Sequence, residues 1–180
     1  GITHTLGTLS IGAYTLNITV GSNVTSGTAG VTFGATTLTA STATFAPANG
    51  ATPTANLTLG ALSGNFSITK SGTGTLTLIA SSSTGRTIGL TTISAGTLML
   101  SATDGLGSTG TTITLSGGTL DLATDTSVIA YNTTVSASST IVSDKATASS
   151  AGITHTLGTL SINASTLNIT VGSNVASGIA

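Results

Sequence analysis

The sequence predicts an all-β chain wound as a right-handed parallel β-helix. Three observations carry that prediction: the residue alphabet, a short repeat at fixed spacing, and a two-residue alternation inside it. The alphabet comes first. The chain includes 42 Thr, 25 Ser and 24 Gly, while Lys70, Arg86, Asp104, Asp121, Asp125, Asp144 and Lys145 carry all the charge and Glu is absent. An ordinary soluble domain is about 25% charged; this one is 4% charged. Thr, Ile, Val, Ser and Gly are middling to poor helix formers, whereas Thr, Ile and Val favour pleated surfaces. Disorder is excluded by supply, because disordered chains lack aliphatic residues and here 38% of residues are hydrophobic, with a mean hydropathy of +0.50.

The short repeat gives the winding. GTLTL at 74–78, GTLML at 96–100 and GTLDL at 118–122 recur at one constant displacement. Weaker relatives extend the series, so that anchors at Leu9, Leu38, Leu57, Leu76, Leu98, Leu120, Ile141 and Leu160 mark seven successive steps, of which the first is the longest. Within a unit, Leu76 and Leu78 point one way and Thr75 and Thr77 the other, as a strand's period of two requires. Gly and Ser clusters between alternating pieces supply the turns. A chain of short strands at a fixed period reads as a solenoid. Each coil sends Leu, Ile and Val inward and stacks on the next, so seven coils extend about 34 Å. The competing sandwich or barrel would need two-residue hairpins, yet Asn-Gly occurs once, at Asn49, and Asp-Gly once, at Asp104.

A long repeat overlies the short one. Residues 1–29 align without a gap on 152–180 and agree at 25 of 29 positions, differing at Gly12/Asn163, Tyr14/Ser165, Thr25/Ala176 and Thr28/Ile179. Residues 1–151 therefore read as one unit of about seven coils and 152–180 as the start of its next copy. A chain that opens at a recurring point and closes mid-unit is expected to be a segment of a longer tandem array.

The stretch SGTGTLTL, followed by STGRTIGLTTISAGTLMLSATDGLG, resembles the autotransporter-associated β-strand repeat, also called the passenger-associated transport repeat. Gly74 to Leu78, Thr84-Gly85, Thr91 to Ile93 and Ala95 to Leu100 hold the places of that family's Gly-Thr-Leu-x-Leu, Thr-Gly, Thr-Thr-Ile and Ala-Gly-Thr-Leu elements. The resemblance is close over this stretch and weaker on either side of it. It implies a long β-helical chain that is exported, stands at a bacterial cell surface or is secreted, is often adhesin-like, and has no chemistry in the repeat itself.

Few residues are candidates for chemistry. His4 and His155 are one repeat position counted twice, and an imidazole in a THT strand reads as an outward polar residue. No cluster of His and carboxylates has the ligand number that metals need, and the absence of cysteine removes disulfides and thiolate sites. Asp121 and Asp125 are the only close pair of carboxylates, and glycoside hydrolysis generally uses two. Asp121, between Leu120 and Leu122, is expected to face outward at a solvated strand edge, and Asp125 to lie in the next turn. Neither is taken as catalytic. Thr-x-Thr occurs at 3–5, 42–44, 75–77 and 112–114, which raises an ice-matching surface, but the phase of these motifs within the coil is not constant. Sequons such as those at Asn17, Asn56, Asn65 and Asn132 follow from composition. Lys70, Arg86 and Lys145 are too few to form a nucleic-acid stripe. No apolar run is long enough for a membrane span, and no signal-peptide layout opens the chain.

The expected function is therefore structural: an extracellular rod, fibre or adhesin stalk with no cofactor, metal or catalytic residue. Its expected partner is itself, by end-to-end stacking or tandem repetition, because an open β-helix end leaves backbone groups unpaired and no polar cap is visible. A surface that binds or cleaves cell-surface or matrix carbohydrate is the alternative. With so little charge, stability is expected to depend little on salt or pH.

Overall fold

A computed structural model describes residues 1–82, 84–148 and 151–177. Among them every regular element is a strand, and every strand pairing is parallel. The first coil is β1 (Ile2–Thr5), β2 (Leu9–Ile11) and β3 (Thr15–Thr19); the second is β4 (Thr28–Phe33), β5 (Thr36–Leu38) and β6 (Ala43–Ala48). The third is β7 (Thr54–Leu59), β8 (Leu62–Ser63) and β9 (Ile68–Lys70). From there each coil has two strands: β10 (Thr75–Leu78) and β11 (Ile88–Ile93), β12 (Thr97–Leu100) and β13 (Gly110–Ser116), β14 (Thr119–Ala123) and β15 (Asn132–Ala137), β16 (Ser139–Asp144) and β17 (Leu160–Ile162). β18 (Leu167–Val171) opens one more coil. These strands stack into three sheets: sheet 1, β1-β4-β7-β10-β12-β14-β16-β18; sheet 2, β17-β15-β13-β11-β9-β6-β3; and the short sheet 3, β2-β5-β8. The chain is a β-solenoid of about seven turns.

The core is the stack of inward residues. Leu57, Leu76, Leu98, Leu120 and Ile141 form one column of sheet 1, and Leu59, Leu78, Leu100, Leu122 and Ser143 the next. On sheet 2 the facing column runs Leu16, Phe45, Lys70, Ile93, Leu115, Val135 and Ile162. The anchors from Leu57 to Ile141 thus stack as the short repeat predicts. Leu9, Leu38 and Leu160 do not: the first two lie in sheet 3 and the third in sheet 2. Sheet 1 instead continues through Val31 and His4 at one end and Ile169 at the other. The first two coils are longer than those in the middle and each carries a three-residue third strand, β2 or β5, while the coil of β16 and β17 is longer still with its extra residues outside any strand. A period read from the two-stranded middle cannot register that.

The corner from sheet 2 into sheet 1 is rich in glycine: Gly96 opens GTLML, whereas Gly72 and Gly117 precede the GTL glycines Gly74 and Gly118, where a Cβ would come within 2.5 Å of Ala55 O and Ile93 Cγ2. Gly72, Gly96 and Gly117 turn this corner with φ of +72°, +62° and +119°, a region that residues with a Cβ rarely enter. Asparagines tie coil to coil elsewhere: Asn65 Oδ1 accepts from Thr87 N at 2.8 Å, and Asn132 Oδ1 from Thr159 N at 2.9 Å.

The two copies of the long repeat occupy different places. ITHT is β1 at residues 2–5 but lies outside any strand at 153–156. LSI sits in sheet 3 as β2 and in sheet 2 as β17; the LNIT segment sits in sheet 2 within β3 and in sheet 1 within β18. Alternating Leu, Ile and Thr fit any face of the coil, so local pattern does not fix the phase. The number of strands per turn does: with sheet 3 absent at the later level, each piece moves to the next face.

Candidate functional site

Where sheet 3 stops, charge and aromatic rings replace it. Arg86, fully buried, donates from Nη1 to Leu106 O at 2.7 Å and from Nη2 to Phe66 O at 3.0 Å. One coil on, the buried Tyr131 hydroxyl donates to Gly107 O at 2.9 Å. Phe66, Arg86, Leu106 and Tyr131 thus make an interior pillar that links successive coils on the face left without a strand. Burial holds the Arg86 guanidinium down at about 10, partly opposed by Tyr131, and burial raises the Tyr131 phenol well above its ordinary value. Lys70 stands inside the sheet 2 core column; its Nζ reaches the corner and donates to the carbonyls of Ser71, Gly72 and Ala95 at 2.7, 2.8 and 3.0 Å. Burial lowers it to about 8.

Five of the seven charged residues, Lys70, Arg86, Asp121, Asp144 and Lys145, are buried. That corrects two expectations. Asp121 is not at a solvated edge: it is 8% exposed, its Oδ1 lacks a hydrogen-bond partner, and burial with the Asp144 charge raises it to about 6. A buried carboxyl held this high is expected to make stability vary with pH. Asp125 does lie in an exposed turn, where its carboxylate accepts from Thr147 N and Oγ1 at 3.3 and 3.2 Å. Asp121 stands near Asp144 and Asp125 holds Thr147, so each carboxylate of the candidate pair has its own structural neighbour. Among the described residues no group of three or more His, Asp or Glu could hold a metal ion.

The histidines also differ from expectation. His4 is in register with Val31 and Leu57, so it belongs to a core column and is exposed only because it lies in the first coil. His155 is half-buried outside any strand, with Nε2 3.0 Å from Asp144 O. Neither is simply an outward polar residue.

The outer face of sheet 2 shows an order that the Thr-x-Thr motifs conceal. Thr15, Thr44, Thr69, Thr92, Thr114, Thr134 and Ser161 stand in one unbroken column across all seven strands. The sequence distance from one to the next changes at every step, so the column survives every change in coil length. None of these hydroxyls hydrogen-bonds another protein group among the described residues. The strands of sheet 2 contain one charged residue, Lys70, and it faces inward. The motifs do fall on different faces, as expected; it is the single threonines that keep phase. Only the three-dimensional register reveals them.

The fold and this surface define a parallel β-solenoid with an uncharged hydroxyl face. No protein family matches the sequence, and no curated protein or solved structure matches the chain.

Proposed function

We propose that the chain is a structural, extracellular β-solenoid rod at a bacterial cell surface or in its secretions, working by length and by end-to-end contact with copies of its own repeat. The observation that carries this reading is the junction between the two copies. The second copy's β17 stacks on β15 and its β18 on β16, in register, and among the described residues no helix or further strand lies between the copies. The columns also stand ready for another coil. Ile2 at one extremity, and Leu160, Ile162, Ile169 and Val171 at the other, are 47–63% exposed although each is in register with inward residues. Free strand edges and exposed core residues together form a template for pairing. A heterologous head-to-tail contact of this kind does not close and builds filaments. Sedimentation velocity with negative-stain electron microscopy tests it. Wild type is expected to form thin rods longer than one chain, and Ile169→Lys with Val171→Lys to leave single short particles. Wild type that stays monomeric at all concentrations defeats the reading.

A second reading rests on the threonine column. Hydroxyls and methyls repeat at the strand spacing of about 4.8 Å on a face without charge, a period close to the oxygen repeat of an ice lattice. Carbohydrate is less favoured because the face lacks the aromatic platforms that stack on sugars. Ice-recrystallisation assays should show grain growth slowed by wild type and by Thr97→Lys/Thr119→Lys on sheet 1, but not by Thr92→Lys/Thr114→Lys. Equal loss in both variants, or an inactive wild type, removes this function.

A further inference from the structure

The second leucine column of sheet 1 breaks at Ser143. After Leu59, Leu78, Leu100 and Leu122, the side chain in register shrinks to a hydroxymethyl group. The missing volume is found as a cavity of about 160 Å³, open on one side, with Leu122, Ile141, Leu157 and Ile169 as its aliphatic wall and Ser143, Thr154 and His155 as its polar residues. A serine in this place costs both packing and hydrogen bonding. Its side chain is buried, 7% exposed, and its Oγ has no hydrogen-bond partner.

His155 supplies the complement. Its Nε2 lies 3.0 Å from the Asp144 carbonyl oxygen, which accepts only, so the neutral ring carries its proton on Nε2. Nδ1 is then a bare acceptor, and it too is buried and without a partner. The cavity therefore presents one unused acceptor and one unused buried hydroxyl on a largely aliphatic surface, with the exposed Thr154 at its margin. Buried polar groups left in this state are costly, and a hydroxyl that donates to His155 Nδ1 and accepts from Ser143 Oγ would satisfy both at once.

We infer that this cavity is a binding site for a small uncharged ring bearing one hydroxyl group, of which phenol is the simplest member. Size and chemistry agree. An aliphatic cavity of about 150 Å³ accommodates benzene, and the two polar groups add recognition of one hydroxyl. An ion is disfavoured, because the walls would strip its water without returning a counter-charge. The same chemistry has a source within the protein. Tyr14 is 77% exposed in the first coil, and the position that repeats it is Ser165. A phenol ring can thus arrive free, or as Tyr14 of a second copy entering the opposite end of the rod.

The experiment is a titration of the full chain with phenol, followed by NMR shifts of the His155 ring and of the Ile141 and Ile169 methyls, with benzene as the comparison. Phenol is expected to bind, to shift these signals, and to bind about tenfold more tightly than benzene, the worth of one good hydrogen bond. Ser143→Ala should erase that preference. Ser143→Leu, which restores the leucine column and fills the space, should abolish binding while circular dichroism stays unchanged. No shifts with phenol, equal affinity for benzene, or unaltered binding by Ser143→Leu overturns the site; a water bridging the two groups is then its occupant. Sedimentation of Tyr14→Ser separates the sources. Loss of self-association that Ser143→Leu reproduces assigns the ring to a second copy, and association unchanged in both variants assigns it to a free small molecule. Phenol binding does not depend on rod formation, so the site and the rod can fail separately.

Discussion

Arg86→Ala is expected to lower the free energy of unfolding by about 3 kcal/mol. Two costs combine. Truncating a fully buried arginine leaves a void between coils, and cavities of that kind in cores cost several kcal/mol. The Phe66 carbonyl loses its side-chain donor and Leu106 O is left with the Thr111 hydroxyl at 3.1 Å, and a buried acceptor left unpaired costs about 1–3 kcal/mol. Against this stands relief from burying a guanidinium whose Nε has no partner of its own. Replacing buried charge by apolar groups is often neutral when all partners go together, but here the acceptors are backbone and remain. Arg86→Met, which keeps most of the volume, should therefore recover the cavity part of the loss and little of the rest. Urea unfolding followed by circular dichroism separates the variants, with unchanged m-values showing that the same surface is exposed. A loss below about 1 kcal/mol for Arg86→Ala would mean that water replaces the guanidinium on both carbonyls, and that the pillar does not hold the coils.

The parts of this fold that were legible in the sequence are those that repeat locally. Alternation gave the strands, and the spacing of Leu76, Leu98 and Leu120 gave the stacking. The pattern could not assign a face, because Leu-Ser-Ile fits sheet 3 at Leu9 and sheet 2 at Leu160 equally well. Nor could it find the threonine column: Thr69, Thr92 and Thr114 become neighbours only once the coil between each pair has a known length. Charge misled most. Scarce Lys, Arg and Asp suggest solvated exceptions on a neutral surface, since such residues are almost never buried unpaired. A solenoid interior has corners where carbonyls converge, and Lys70 and Arg86 are used there as donors rather than as surface charges. The single signal available was location: Lys70 shares the inward phase of its strand with Ile68.

Those buried charges set the pH response. Asp121 titrates near 6 in the folded protein against 3.8 as its ordinary value. Between these values the folded state holds a proton that the unfolded state has released, so stability falls as pH rises from about 4 to about 6 and then levels. Lys70 acts at the other side. Its folded value is about 8 against 10.5, so above 8 the folded state sheds a proton that the unfolded state keeps, and stability climbs with pH. The sum is a shallow minimum between about pH 6 and 8, the reverse of the usual dome. Asp121→Asn keeps the shape of the side chain, removes its charge beside Asp144, and should abolish the acid arm alone. At pH 7 the variant is expected to be more stable than wild type by about 1–2 kcal/mol, below the full equivalent of the shift because water partly screens the group. At pH 4, where the wild-type carboxyl is protonated when folded, the advantage should shrink towards zero. Thermal melts of both proteins across pH 4 to 9 decide it. A constant difference at every pH would assign the gain to the new amide rather than to the lost charge, and a less stable variant at pH 7 would show that the Asp121 carboxylate has a partner that stabilises it.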